Sequence, residues 1–415
     1  MRVYLRTFGC RANHYDSEAV RAMVASAGHE LVARVDDADA AVFNSCAVTA
    51  DAEAELRKVV RRAARERPAL RSIVMGCAAA LDESRDPSRR IRDLPSVRAV
   101  VGGADLTAIA RALDLPTTTV QIATRQTSTR ALLRIQDGCD EHCTFCATTM
   151  ARGANRSRQQ NELVAEAQAL AEWHSEIVIT GIHIGSYGAD SASSLGELLE
   201  TLVRAVPGTR FRLSSIEATE IDARLADLLI SAPRHVTPHV HAPLQSGSDR
   251  LLRRMGRHWY TSATYSDAIE RLAQRMSIFG LGADVITGFP GETAEDHAET
   301  LALVERLPFT YLHVFPYSAR PGTAAERLPN PVASSVADAR AAELRAVAHR
   351  KATAYAASRV GSLADVVVVG AGERREGLTG DYLTVLPVDA SLPRGTRFTA
   401  QLADGTPFLE ARCIA

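Results

Sequence analysis

The stretch Ala131-Leu-Leu-Arg-Ile-Gln-Asp-Gly-Cys139-Asp-Glu-His-Cys143-Thr-Phe-Cys146 reads as a short apolar strand running into a loop that carries three cysteines. Strand-like runs recur downstream at Glu176 to Thr180, Arg210 to Ser214, Val236 to Val240, Gly282 to Thr287 and Tyr311 to Phe315, with helical patterns between most of them. Counted with Ala131 to Gln136, these make six βα units, fewer than the eight of a complete barrel. The pattern therefore predicts an open, partial (β/α)6 TIM-like barrel whose chemistry lies at its C-terminal face. The cysteine loop follows the first strand at that face.

Toward the N-terminus, the first ~100 residues alternate β and α patterns at the lengths expected of a parallel sheet. Val3 to Phe8 reads as a strand, followed by a turn at Gly9-Cys10 and a helix from Tyr15 to Ala27. Ala40 to Asn44 runs into Ser45-Cys46 and a helix from Asp51 to Glu66, and Ser72 to Met75 runs into Gly76-Cys77 and a further helical stretch. Each of these cysteines follows the carboxyl end of a strand, the edge where open α/β sheets bind ligands, so three thiols should converge there. Toward the C-terminus, an Ala/Arg-rich helix from Val336 to Ser358 gives way to β-branched runs, Asp365-Val-Val-Val-Val369 and Tyr382-Leu-Thr-Val-Leu386, which predict a small all-β barrel. The expected fold class is α/β, with a parallel-sheet domain at 1–115, a Thr-rich linker at 116–129, the partial barrel at 130–354 and the β unit at 355–415.

The 415 residues carry 48 basic and 49 acidic side chains, a net charge of −1, so any contact with nucleic acid or anionic lipid must come from local patches. No apolar run reaches the ~18 residues of a membrane span, and Met1 to Cys10 is strand-like rather than a leader, so we expect a cytoplasmic protein without membrane contact. Seven cysteines are too few for a disulfide scaffold, and an odd count directs attention to metal or catalysis. Three thiolates on one compact loop can hold three irons of a 4Fe-4S cluster and leave the fourth open. Zinc is the competing reading, with His142 the nearby fourth ligand.

Cys139, Cys143 and Cys146, with Phe145 before the last, form a CxxxCxxC that resembles the signature of radical S-adenosylmethionine enzymes. The resemblance implies that the open iron chelates the methionine moiety of S-adenosylmethionine and that one electron cleaves the sulfonium to a 5′-deoxyadenosyl radical. The protein's part is to position the radical and exclude water. Together with Cys10, Cys46 and Cys77, the chain resembles the methylthiotransferase family, whose N-terminal domain holds an auxiliary 4Fe-4S cluster on three such cysteines. The resemblance covers nearly the whole chain. It is carried by Thr7-Phe-Gly-Cys10-Arg-Ala-Asn13, Asn44-Ser-Cys46-Ala-Val-Thr49, Gly76-Cys77, Ala151-Arg-Gly153, Thr180-Gly-Ile-His-Ile-Gly185, Leu213-Ser-Ser-Ile-Glu217, Pro243-Leu-Gln-Ser-Gly247 and Asp284-Val-Ile-Thr-Gly-Phe-Pro-Gly-Glu292. Two departures stand out: Ala147-Thr-Thr-Met150 where relatives usually have aliphatic residues and a proline, and Ala78 where they often carry tyrosine. Neither removes a ligand.

The resemblance further implies two S-adenosylmethionine molecules per turnover, one methylating a sulfur held at the auxiliary cluster and one yielding the radical. A low-potential electron donor and a sulfur donor are implied partners. Cys46-Ala-Val-Thr49, followed by a basic helix, resembles the branch acting on N6-threonylcarbamoyladenosine in the tRNA anticodon loop. The neighbouring alternatives are the isopentenyladenosine tRNA branch and a relative that modifies an aspartate of a ribosomal protein. From another class, an RNA-binding iron-sulfur redox sensor is the alternative.

Gln245, Ser246 and Asp284 lie at or just beyond strand ends and, with Gly288, are candidate S-adenosylmethionine contacts. Gly288-Phe-Pro-Gly-Glu292 fits equally a strand-to-helix turn in which Glu292 supports the helix start. His183 and His241 read as hydrogen-bonding residues before catalysts, and Cys413 as a small core residue. Candidate RNA contacts are Arg57, Lys58, Arg61 and Arg62 around an apolar stripe of Leu56, Val59, Val60 and Ala63, together with Arg152, Arg156 and Arg158 after the cysteine loop; a plainly solvated helix face is the competing reading of the first group. Arg250, Arg253, Arg254 and Arg257 form another basic patch. Gly377-Leu-Thr-Gly-Asp-Tyr-Leu-Thr-Val385 resembles a TRAM domain, a small RNA-binding barrel. From Tyr355 onward six arginines face seven acids, so resemblance and not charge carries that expectation.

Overall fold

The computed structural model describes residues 1–47, 50–82, 90–116, 124–370, 375–389, 391–405 and 408–414. Val48 and Thr49 of the branch motif and residues 117–123 of the expected linker lie outside them. The chain forms two compact units: Met1–Gln126 with Gln136–Arg156 and Ser318–Arg327, and Thr127–Ile135 with Ser157–Tyr317 and Leu328–Ala415. The cysteine loop thus belongs with the N-terminal residues and not with the strand that precedes it.

In the first unit, β1 (Arg2–Thr7), β2 (Glu30–Val32), β3 (Ala40–Ser45), β4 (Arg71–Gly76) and β5 (Val97–Gly102) form a parallel sheet in the order β2-β1-β3-β4-β5. The connections include α1 (Arg11–Ser26), α2 (Ala50–Glu66), α3 (Cys77–Ala80) and α4 (Leu106–Ala112). Central β3 is buried at each position, as a strand covered on both faces must be. Its side chains alternate between two cores: Ala41 and Phe43 pack with Leu56, Val60 and Val74, while Ala40 and Val42 pack with Val20, Ile73 and Ile109. The three strands expected from sequence are present, and the edge strands, short β2 and six-residue β5, are additional. α5 (Thr148–Arg152) follows the cysteine loop, which two-residue strands β7 (Gln136–Asp137) and β8 (Arg156–Ser157) flank in sequence.

In the second unit, β6 (Ala131–Arg134), β9 (Glu176–Thr180) and β10 (Arg210–Leu213) form one parallel sheet, and β11 (His239–His241), β12 (Gly280–Thr287) and β13 (Tyr311–Pro316) a second. Bridges Phe211 to Val236 and Ser215 to His241 join them into an open six-strand series. β11 is shorter than expected because Pro238, which has no N–H to donate, interrupts the run from Val236. Among the described residues α6 (Gln160–Ala171), α7 (Leu195–Ala205), α8 (Ala223–Ser231), α9 (Asp249–Arg254), α10 (Ser262–Arg275) and α11 (Ala294–Arg306) connect the strands. Side-chain caps fix several of their starts: Ser194 accepts from the Glu197 N–H, Asp222 from Leu225, and Thr293 forms a capping box with Asp296.

After α12 (Ser334–Ser358), β14 (Leu363–Val368), β15 (Gly377–Thr379), β16 (Thr384–Pro387), β17 (Arg397–Ala403) and β18 (Leu409–Cys413) close into the small barrel. It is held to the βα series by two arginines with wholly buried side chains. Arg210 Nη1 donates to the Asp365 carbonyl at 2.6 Å and Nη2 to that of Leu378 at 3.3 Å; Arg212 donates to Gly380 at 3.0 Å and Thr379 at 2.9 Å. Glu176, equally buried, accepts from Arg210 Nε at 2.7 Å and Arg212 Nε at 2.8 Å. Burial alone would raise its pKa, but Arg210 and Arg212 hold the carboxyl well below the usual range. Gly280 allows the close approach, since a Cβ there would lie 2.1 Å from the Asp381 carbonyl oxygen. Among the described residues no helix is long and apolar enough to cross a membrane.

Candidate functional site

Cys10, Cys46 and Cys77 follow β1, β3 and β4, which are neighbours in register, with Thr7 opposite Asn44 and Ser45 opposite Gly76. Two left-handed glycines let these strand ends converge. A Cβ on Gly9 (φ +99°) would lie 2.5 Å from both Cβ and Sγ of Cys46, and one on Gly76 (φ +93°) 2.4 Å from Asn44 Oδ1. Buried Asn13 ties the ends together: its Nδ2 donates to the carbonyls of Phe8 (3.0 Å) and Ser45 (2.8 Å), while its Oδ1 lies 3.8 Å from the sulfurs of Cys10 and Cys77. Asn44 donates to the Asn13 carbonyl at 2.7 Å and to Ser17 at 3.0 Å. Cys46 and Cys77 are buried and Cys10 is exposed, which leaves the trio one open side.

Cys139, Cys143 and Cys146 are half-buried. Gly138 (φ +78°) starts their loop where a Cβ would overlap the Ala154 carbonyl oxygen at 1.9 Å. The Cys139 N–H donates to Gly153 O (3.0 Å), Cys146 N–H to Cys143 O (3.1 Å), and Ala325 N–H to Thr144 O (2.8 Å). The Thr148 N–H points at Cys146 Sγ at 3.4 Å. N–H donors aimed at sulfur suit thiolate ligands of an iron-sulfur cluster. Among the described residues, the one group drawn close enough for a single metal ion is His241, Asp284 and His313, so neither cysteine trio has the spacing of a mononuclear zinc site, and His142 is exposed. The residues present fit two clusters. Of the departures, Ala78 is core and Met150 exposed.

Arg152 was expected among the RNA contacts, and the structure corrects this. Its side chain is 2% exposed and belongs to the auxiliary trio: Nε donates to Cys77 Sγ at 3.2 Å, and Nη2 to Asn13 Oδ1 at 2.7 Å and Asp16 Oδ2 at 2.9 Å. Burial pushes the Cys77 thiol up to about 11 against the pull of Arg152. Arg156 is 60% exposed, 3.8 Å from Asp137, whereas Arg158 is paired with buried Glu166 at 2.7 Å. On α2, Arg57 pairs with Glu53 at 3.1 Å and Arg62 with Glu66 at 2.6 Å, while Lys58 and Arg61 are exposed. The 250–257 patch is also largely engaged: Arg250 pairs with Asp296, Arg254 donates to the carbonyls of Pro290 and Pro329, and Arg257 is buried on Glu217. Arg253 remains exposed.

In the second unit Gln245 takes a left-handed φ of +62°, uncommon for a residue with a Cβ, as it bridges to Val285 beyond β11. Ser246 Oγ meets Thr300 at 3.1 Å, and Gly288 (φ +72°) packs where a Cβ would lie 2.4 Å from that of Ala337. Both have internal roles. Glu292 does not support the helix start; it accepts from the Gly288 N–H at 2.5 Å and pairs with Arg340, leaving Thr293 as the cap. Asp284 Oδ1 lies 3.1 Å from His241 Nε2 and 3.2 Å from His313 Nδ1. Burial alone would raise its pKa, but those two histidines hold it well below the carboxylate range. The network continues through Tyr311 OH, 3.0 Å from His241 Nδ1 and 2.9 Å from His239 Nε2, to Tyr382 stacked on His239 at 4.5 Å. His239, Tyr311 and His313 were not singled out in the sequence; the polar residues at alternate strand positions, His239 and His241, Tyr311 and His313, were the available signal. His183 Nε2 lies 2.7 Å from Glu220. Cys413 is exposed at the end of β18 and not a core residue.

Residues 2–102 match the model of Uncharacterized protein family UPF0004, and residues 133–304 that of the Radical SAM superfamily. Threonylcarbamoyladenosine tRNA methylthiotransferase MtaB of Bacillus subtilis (strain 168) is 35% identical over 418 residues, covering 92% of this chain and 90% of that one. A tRNA-2-methylthio-N(6)-dimethylallyladenosine synthase of Parafrankia sp. is 33% identical, covering 91% and 79%. Among solved structures, the radical S-adenosylmethionine methyltransferase TsrM of Kitasatospora setae, with cobalamin and a [4Fe-4S] cluster bound, superposes with a TM-score of 0.53 over 78% of this chain and 77% of that one. At 14% identity the likeness is one of fold.

Proposed function

This chain belongs to the tRNA methylthiotransferase family of radical S-adenosylmethionine enzymes, and we propose that it attaches a methylthio group to C2 of N6-threonylcarbamoyladenosine beside the tRNA anticodon. The observation that carries the reading is the gathering of two cysteine trios in one compact unit, with N–H donors aimed at sulfur in each. In this reading Cys139, Cys143 and Cys146 would hold a cluster able to supply the electron for cleavage of S-adenosylmethionine, and Cys10, Cys46 and Cys77 would hold an auxiliary cluster able to carry the sulfur to be transferred. Asn13 and Asn44 keep the auxiliary thiols converged, and Gly138 shapes the other loop. Gln245 and Asp284 present polar groups to S-adenosylmethionine. Exposed Lys58, Arg61 and Arg156 offer charge to RNA phosphates, and the C-terminal barrel contributes a second RNA-binding surface. A single-stranded loop suits such an enzyme, because a base can enter the site without breaking a continuous duplex. A low-potential electron donor and a sulfur donor complete the partners, in the cytoplasm.

The test is turnover on matched tRNAs bearing threonylcarbamoyladenosine or isopentenyladenosine, with product nucleosides identified by mass. The threonylcarbamoyl tRNA is the expected substrate. Preference for the isopentenyl tRNA would move the chain to the neighbouring branch, and inactivity on both with methylthiolation of a ribosomal protein would overturn the RNA substrate.

A further inference from the structure

We propose that Arg152 is a positioning residue that locks the loop of Cys139, Cys143 and Cys146 to the auxiliary trio and tunes the auxiliary iron centre through Cys77. The inference rests on the reading that the two trios hold 4Fe-4S clusters. Arg152 closes α5, immediately after the radical loop, yet its guanidinium reaches Cys77 Sγ at 3.2 Å and the Asn13 and Asp16 side chains on α1 at 2.7 and 2.9 Å. The adjoining Gly153 carbonyl accepts the Cys139 N–H at 3.0 Å. Two consecutive residues therefore hold a ligand of each trio, one by side chain and one by main chain. Asn13 extends the grip, because the Oδ1 that accepts from Arg152 also lies 3.8 Å from Cys10 and Cys77 sulfurs.

The charge arrangement carries the electronic half of the proposal. The guanidinium is buried with Asp16, whose side chain is also enclosed, and its Nη1 lies 3.4 Å from Asp137. A buried cation kept against a ligand sulfur favours the more negative, reduced form of the cluster. Removing it should make that centre harder to reduce. Only a planar fork can serve Cys77, Asn13 and Asp16 at once, so lysine should restore charge without restoring geometry.

Full-length Arg152→Gln and Arg152→Lys proteins, reconstituted anaerobically, should be titrated with reductant and followed by electron paramagnetic resonance. In Arg152→Gln we expect the one-electron reduction equilibrium of the auxiliary centre to fall at least tenfold, 59 mV, with the radical cluster unmoved. Arg152→Lys should keep most of the potential yet, like Arg152→Gln, form more 5′-deoxyadenosine per methylthio product, because the two sites are no longer held in register. Asp16→Asn, which keeps the fork and removes its counter-charge, should shift the auxiliary midpoint upward. If Arg152→Gln fails to load iron, an unmoved midpoint in Asp16→Asn together with wild-type coupling in Arg152→Lys overturns the proposal. If it loads, an unmoved midpoint in Arg152→Gln does so by itself. Full iron content after joint replacement of Cys10, Cys46 and Cys77 would instead remove the cluster reading on which the proposal stands.

Discussion

Replacing Glu176 with glutamine should loosen the C-terminal barrel from the βα series. The substitution keeps size and shape but removes the carboxylate that faces two wholly buried guanidinium groups. Asp365, 3.4 Å from Arg210, is the nearest other acid, and the remaining acceptors are main-chain carbonyls. Breaking a buried ion pair by removing one partner costs about 3–5 kcal/mol, because the stranded charge stays desolvated. With two arginines stranded, the expected loss lies at the upper end of that range. Both tryptophans, Trp173 and Trp259, lie in this unit, so their fluorescence during urea unfolding reports on it without interference from the other. The pH dependence has a definite sign. The folded carboxyl titrates below its unfolded value, so its contribution is complete at neutral pH and is lost as pH falls below ~4.3, the ordinary glutamate value. Glu176→Gln should therefore flatten the acid limb of the wild-type stability profile. A loss under ~1 kcal/mol with an unchanged acid limb would refute the reasoning, since it would mean that the arginines rest on carbonyls alone.

Alanine at Cys139, Cys143 or Cys146 should abolish 5′-deoxyadenosine formation, and wild-type yield from any one would sink that cluster assignment. Joint replacement of Cys10, Cys46 and Cys77 should roughly halve bound iron and remove methylthio product while sparing some S-adenosylmethionine cleavage. Cys413→Ala should change neither iron content nor turnover, in keeping with its exposed place at the end of β18. Joint replacement of Lys58 and Arg61 should weaken tRNA binding and reduce the slope of log affinity against log salt by about 2; an equal slope would leave α2 a merely solvated helix.

The six strands of the open series were legible as short runs of β-forming residues between turn signals, and the two cysteine trios from their spacing and their places after strand ends. The edge strands were not. β2 is only three residues, one exposed and two half-buried, and β5 pairs with a register irregularity at Ser72 and Ile73, so neither leaves a clean period. Arg152 was misread for a different reason: an arginine beside a cysteine loop looks like a surface charge, and its partners Asn13 and Asp16 are 139 and 136 residues away. The same separation hid the ladder of His239, Tyr311, His241, Asp284 and His313, whose members share one network only once β11, β12 and β13 are aligned.

Much of the grip of the βα series on the C-terminal barrel is taken on main-chain oxygens. Arg210 and Arg212 take those of Asp365, Leu378, Thr379 and Gly380, and Ser175 takes that of Gly395 at 2.7 Å. A carbonyl is present whatever residue bears it, so these contacts place little demand on side-chain identity in the barrel. At those positions the sequence is free to drift, provided that the path of the backbone past the two arginines is kept, whereas Tyr382, stacked on His239, and Arg397, which donates to the Gly208 carbonyl at 3.3 Å, are held by their side chains. Such a seat favours exchange of the barrel: one transplanted from a divergent relative should settle on the same arginines where it keeps counterparts of Tyr382 and Arg397.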